Sequence, residues 1–274
     1  MYPKIFQALF NEPWLIEGST HQAMQDTLLA RINSSENLFD EKADQRRPAT
    51  GSVVSTPFGS YTVRNYSELD SGVAHIPVSG ILSKKLSTME TMCGGYDMGA
   101  LSHALGEAIE NDKVKAVMLD IHSPGGSVIG TEETGALIAQ AASIKPVYAF
   151  TETMAASAAY WLASQCTHIF TTPSAMLGSI GVYMAMPIKD EKIELIKSGR
   201  YKAMGVKPLS ADERKIVQAR VDATHAKFKQ AVMSKRPVGE DVLEGLSYTG
   251  EQAIENGLAD SLVLSFDEAV ELVS

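Results

Sequence analysis

Three junctions rich in glycine and serine hold the residues whose types and spacing could do chemistry. The first is HSPGGSV, residues 122–128. Pro124 fixes one φ angle, while Gly125 and Gly126 let peptide N–H groups turn outward without a Cβ penalty. Such a turn ahead of a helix can present two preorganised N–H donors to an oxyanion, each worth ~3 kcal/mol to a transition state. The same three residues also make a plain strand-to-helix turn. The second junction is TMAASAAYWLA, with Ser157 among small residues at a predicted helix start. Small neighbours admit a substrate backbone, and a helix N-terminus favours developing negative charge. Taken singly, a serine there reads first as a helix cap. The third is SGRYKAMG, where Lys202 follows a glycine-containing bend and is flanked by Tyr201, Ala203 and Met204. A lysine serving as general base must be neutral, which an unperturbed one is in only about 0.1% of molecules at pH 7.5. Apolar surroundings that lower its pKa by about three units cost ~4 kcal/mol. Crowding among Lys197, Arg200 and Lys202 pushes the same way. Taken singly, Lys202 reads as a solvated charge.

The histidines offer a competing site. They are His21, His75, His103, His122, His168 and His225, and none stands in HExxH or other metal-binding spacing. No G-x-S-x-G elbow surrounds Ser157, and no phosphate-binding or dinucleotide fingerprint occurs. No metal and no cofactor is therefore expected. His122, beside the Pro-Gly-Gly turn, is the one histidine placed for chemistry, and it reads first as a passive lining residue.

The elements that must position these residues follow from the apolar pattern. Residues 1–32 read as a short helical arm, with Met24, Leu28 and Ile32 at four-residue spacing. Residues 33–59 are polar and breaker-rich and read as a linker, either a tether or a processed propeptide. From about Val73, short apolar strands (VAHIPVSGIL, VKAVMLDI, KPVYAFT, HIFTT) alternate with helical segments (LSHALGEAIEND, GTEETGALIAQAAS, MAASAAYWLASQ). That alternation implies βαβ units with right-handed crossovers. SAMLGSIGVYMAM reads as a glycine-punctuated turn into a further strand. Ser210 with Glu213 has capping-box spacing and opens a long helix whose face carries Val217, Val221, Thr224, Phe228 and Val232. A short helix closed by Gly257, a small strand and a final helix complete the chain. The expected division is an arm and linker over 1–70 and one α/β domain over 71–274.

Composition excludes several roles. The 274 residues carry 24 basic and 33 acidic side chains, a net charge of −9, which argues against wrapping nucleic acid. No run reaches the ~20 apolar residues of a spanning helix. Asn11, Glu12 and Pro13 interrupt the apolar N-terminus before a secretory core could form. The two cysteines, Cys93 and Cys166, form no framework and read as buried thiols of a reducing compartment. A cytoplasmic chain without a membrane span is the expectation.

In their order, LDIHSPGGSV, MAASAAYWLAS, LGSIGV, LIKSGRYKA and the tail YTGEQAIENGLAD resemble the signal peptide peptidase A family of Ser-Lys serine proteases. The likeness runs over about residues 73–265. The linker and the helix PLSADERKIVQARVDATHAKF look most similar to the family's bacteriophage branch, the head maturation (minor capsid protein C-like) proteases. The resemblance implies an α/β fold, the spiral of ββα units shared by Clp protease and crotonase, with a long C-terminal helix. It implies Ser157 as nucleophile, Lys202 as general base and Ser179 as the hydroxyl orienting the lysine amine. Gly126 with Gly125 beside it falls on the oxyanion-hole turn, with the N–H of Ala158 as second donor. His122 and Ala156 would line the substrate. The implied partner is a polypeptide, capsid or scaffold protein, met in the host cytoplasm or inside a prohead. A homo-oligomer is implied too, with the serine and lysine of one site drawn from neighbouring subunits in some members.

Two features depart from the family pattern. His122 stands where asparagine is usual, and the segment between GSIGV and IKSG is about two helical turns short, leaving Ser157 and Lys202 45 positions apart. The alternatives are a peptidase of signal peptides or misfolded proteins, and a non-proteolytic crotonase-like or structural capsid protein, since a fold does not fix a function.

Overall fold

The computed structural model describes residues 14–16, 53–56, 59–62, 65–86, 90–91, 94–184, 198, 200–201, 204 and 207–274. Strand β1 (Trp14–Ile16), the hairpin β2 (Val53–Thr56) and β3 (Gly59–Thr62), and β4 (Ser67–Glu68) precede a repeating pattern. Its first unit is β5 (Val73–Ser79), β6 (Ile81–Ser83), β7 (Gly95–Asp97) and helix α1 (Met98–Glu110). The second is β8 (Ala116–His122), β9 (Gly125–Ser127) and α2 (Thr131–Ala142). The third is β10 (Val147–Thr151), β11 (Met154–Ala156) and α3 (Ala158–Ser164). The fourth is β12 (His168–Thr171), β13 (Met176–Gly178) and the long α4 (Ala211–Met233). A 3₁₀ turn (Glu240–Leu243), β14 (Ser247–Thr249), α5 (Gly250–Glu255), β15 (Ser261–Leu262) and α6 (Phe266–Val273) follow.

Each unit gives its first strand to one sheet and its second to another layer. The large sheet has the order β15-β12-β10-β8-β5-β4, parallel except for β4. Its inner strand β8 buries Val117, Met118, Leu119 and Ile121 completely, the near-continuous apolar run of a parallel strand covered on both faces. The second strands pair among themselves, β9 with β6 and β11 with β13, both parallel. This is the spiral of ββα units that the motifs implied, with its long C-terminal helix. Among the described residues no helix is long and apolar enough to cross a membrane.

Local chemistry explains where the helices begin. Asp97 caps α1 by accepting from the Gly99 N–H at 2.7 Å. Ser210 and Glu213 form the reciprocal capping box of α4. Only the second half of α4 packs: Phe228 and Val232 are buried, with Phe228 stacked on Trp161 at 4.8 Å. Val217, Val221 and Thr224 are only half-buried, so the expected stripe is a stripe only near its C-terminal end.

Four expectations differ from the structure. Residues 14–16, placed in a helical arm, form a strand, and residues 53–56, placed in a linker, form one side of a hairpin. The rest of the arm and linker lies outside the described residues. MAASAAYWLASQ is not one helix: its first three residues are β11, because Met154, Ala155 and Ala156 pair with Met176, Leu177 and Gly178. Tertiary pairing overrides the high helix propensity of alanine there. In SAMLGSIGVYMAM a strand, Met176–Gly178, runs up to and includes the first glycine.

Candidate functional site

Ser157 is the single residue between β11 and α3. Its φ of 54° and ψ of −119° are rare for any residue with a Cβ. The turn is held from both sides: the Ser157 N–H donates to the Gly178 carbonyl at 2.8 Å, and its own carbonyl accepts from the Trp161 N–H at 2.9 Å. Although Ser157 occupies the N-cap position of α3, its side chain makes no capping bond. The hydroxyl is buried and has no hydrogen-bond partner among the described residues. An unbonded buried hydroxyl costs on the order of 1–3 kcal/mol, and a left-handed backbone at a non-glycine residue roughly 1–2 more. Both costs fall on one residue whose side chain caps nothing.

The turn after β8 comes against this point. Gly125 has φ +104°, and a Cβ there would stand 2.1 Å from the Leu15 carbonyl oxygen, 2.9 Å from that of Ala156 and 3.0 Å from the Ala158 nitrogen. Glycine is therefore required twice over, by conformation and by the approach of three backbone atoms. At Gly126 a Cβ would collide with the backbone of Leu82 at 1.9 Å, as expected where β9 is pressed against β6. The N–H of Ala158, first in α3, has no intrahelical acceptor.

Ser123 escaped the reading of the sequence. Fully buried, it donates from Oγ to the Gly80 carbonyl at 2.6 Å and accepts from the Gly125 N–H at 3.2 Å. Its backbone N–H donates to Met154 and its carbonyl accepts from Ala156. One residue thus fastens the Gly125 turn to the β5–β6 junction and to β11. The available signal was its place two residues before a glycine N–H, the spacing of a serine turn. The Gly125 N–H is thus bonded to Ser123, while Gly126 stands in register with Leu82 of β6 and Leu15 of β1.

The other predicted residues fall as follows. Ser179 has φ 52° and is half-buried; it follows Gly178, whose carbonyl holds the Ser157 amide. Ala156 is fully buried, its carbonyl beside Gly125. His122 ends β8 and is tethered, Nε2 to Asp120 Oδ1 at 3.0 Å and Nδ1 to Thr153 Oγ1 at 2.8 Å. The other oxygen of Asp120 faces His75 Nε2 at 3.2 Å. Lys202 lies outside the described residues, as does Cys93. Arg200 is described, and its guanidinium pairs with Asp212 in the first turn of α4. Cys166 is buried, and burial pushes its thiol far up, away from the thiolate form a nucleophile needs. Among the described residues no cluster of histidine, cysteine and carboxylate groups could hold a metal ion.

Residues 139–273 match the family described as Peptidase family S49. The chain is 31% identical to capsid assembly protease C of Escherichia phage lambda over 281 residues, covering 97% of this chain and 64% of that protein. It is also 31% identical to the head-tail preconnector protein GP5 of Enterobacteria phage P21, over 96% of this chain and 55% of that one. A third relative, protease 4 of Salmonella typhi, is 34% identical over 58% of this chain and 28% of its own length. The chain thus spans less than two thirds of each of these proteins. A solved enoyl-CoA hydratase/isomerase family member overlays at a TM-score of 0.42 and 17% identity, covering 83% of this chain and 76% of its own. A likeness of that degree carries no weight for fold or activity.

Proposed function

The chain belongs to peptidase family S49, and from that premise we propose that it is a serine endopeptidase working through a Ser157–Lys202 dyad. The observation that carries the reading is the Ser157 hydroxyl: buried, without a hydrogen-bond partner among the described residues, and held on a strained turn beside Gly125 and the Ala158 amide. A strained turn with a serine at its apex, at a strand-to-helix junction, is a recurrent way of presenting a nucleophile.

The chemistry runs in two halves. Neutral Lys202 accepts the Ser157 proton as Oγ attacks the scissile carbonyl carbon, and the carbonyl oxygen becomes an oxyanion. The amides of Gly126 and Ala158 donate to it, with Gly125 giving the turn its shape. Lys202 then protonates the departing amine, and an ester on Ser157 remains. Water attacks that ester, its proton passing to Lys202; the bond from carbon to Ser157 Oγ then breaks, Lys202 returns the proton to Oγ, and the new carboxyl terminus leaves. Ser179 positions the lysine amine. His122, tied to Asp120 and Thr153, shapes the wall ahead of the turn, and Ala156 backs it.

The substrate proposed is a capsid or scaffold protein of a phage or prophage, supported by the two phage relatives that align over nearly this whole chain. The test pairs two measurements on wild type, Ser157→Ala and Lys202→Ala. Cleavage of co-expressed capsid and scaffold proteins should be lost in both variants. A fluorophosphonate should label wild type at Ser157 and neither variant. Intact cleavage by Ser157→Ala would overturn the reading.

A further inference from the structure

Strand β9 carries the Gly125–Gly126 turn, and its sheet has the order β1-β9-β6-β7. One side of β9 belongs to β6. Among the described residues the other is covered by β1 alone, three residues of the chain's own N-terminal region, running antiparallel with Trp14 opposite Ser127, Leu15 opposite Gly126 and Ile16 opposite Gly125. Without β1, the strand of the proposed oxyanion turn would be a sheet edge. An exposed edge is where an extended polypeptide adds by main-chain hydrogen bonds.

The position of β1 along that edge is also specific. The Leu15 carbonyl oxygen and the Ala158 nitrogen both lie within 3.0 Å of the point where a Cβ on Gly125 would stand. A peptide carbonyl of this chain therefore sits across Gly125 from the amide that follows Ser157. Leu15 and Ile16 are 0% and 3% exposed, so the strand fills apolar space flanking the site as well as its hydrogen-bonding edge.

We propose that Trp14–Ile16 is an internal occupant of the substrate's place: β1 sits where an extended polypeptide docks on β9, and must leave for a substrate to enter. The inference rests on the peptidase reading above and adds its regulation. It also gives the docking edge a preference for apolar residues at the positions taken by Leu15 and Ile16.

Two full-length variants test it. Leu15→Asp should release β1. The expected result is at least a tenfold rise in amide hydrogen exchange across β9 with β8 and β10 unchanged, and at least a fivefold rise in casein cleavage. The pair Trp14→Cys with Ser127→Cys should lock β1 in place, because opposed residues of an antiparallel pair have Cα atoms about 4.5–5.5 Å apart, within disulfide range. Oxidation should lower casein cleavage at least tenfold, and reduction should restore it. Should Leu15→Asp fail to fold, the cysteine pair decides alone. Freed β9 with cleavage unchanged or lowered, or a locked form as active as the reduced one, would overturn the proposal and make β1 an ordinary structural strand. Absence of cleavage in wild type and every variant would defeat the peptidase reading instead. The synthetic peptide EPWLIEG added to Leu15→Asp then decides: renewed protection of β9 supports the docking edge, and none overturns it.

Discussion

The backbone amide of Ser157 donates to the carbonyl of Gly178 at 2.8 Å. That bond joins the end of β11 to the end of β13 and holds Ser157 at a positive φ that its side chain does nothing to stabilise. Ser179, next in line, shares the left-handed conformation. Two strained serines are therefore brought together by strand pairing, and their stability and their use are separable by experiment.

Replacing Ser157 by alanine removes a buried hydroxyl that bonds to none of the described residues. Stability should hold or rise by up to ~1 kcal/mol, a Tm gain of roughly 2–4 °C for a domain of this size, while cleavage is abolished. Thermal unfolding of wild type and Ser157→Ala checks it. A clear drop in Tm would mean that the hydroxyl has a structural role.

Ser123→Ala should do the opposite. It strands the Gly125 N–H and the Gly80 carbonyl, both bonded to Ser123 Oγ. The cost should be about 2–3 kcal/mol, read as a shift in urea midpoint at constant m-value. Because the Gly125 turn would loosen rather than vanish, kcat should fall more than KM rises. Ser123→Thr, which keeps the hydroxyl, should recover part of kcat.

Gly125→Ala and Gly94→Ala separate conformation from contact. Both glycines have a left-handed φ, +104° and +92°. A Cβ at Gly94 meets nothing within 4 Å, whereas at Gly125 it meets three backbone atoms within 3.0 Å. Gly94→Ala should cost only the conformational penalty of ~1–2 kcal/mol. Gly125→Ala should cost clearly more, or fail to fold. Equal costs in chemical denaturation would contradict this geometry.

Acid should destabilise the C-terminal part of the domain through His168. Desolvation holds its pKa below the ordinary histidine value, and the nearby Arg236 adds to this against the opposing Asp260. The unfolded chain therefore takes up the proton first, and stability falls as pH drops below about 6.5. Asp260 is held below the usual carboxylate range, burial being outweighed by its bonds to Arg236 and to the Ile169 N–H. Its contribution is present above about pH 3.9 and is lost only in stronger acid. Unfolding free energy between pH 7.5 and 5.5 should slope downward in wild type and flatten in His168→Gln.

By itself the sequence determined the alternation of strands and helices from Val73 onward, the start of α4 at Ser210 and the gathering of glycines and serines at strand ends. These are local matters: apolar period, capping chemistry and the freedom of glycine act over a few residues. It could not tell whether Ser157 caps a helix, because that depends on one residue's backbone angles, and those follow from the pairing of β11 with β13 and the bond to Gly178. Alanine-rich MAASAAYWLASQ has no period to reveal the break. The roles of Ser123 and Trp14–Ile16 were equally hidden, since both arise from contacts with residues far along the chain, Gly80 for the one and Gly125–Ser127 for the other. Tertiary structure decided them because a short strand of ordinary residues takes its meaning from the edge it covers.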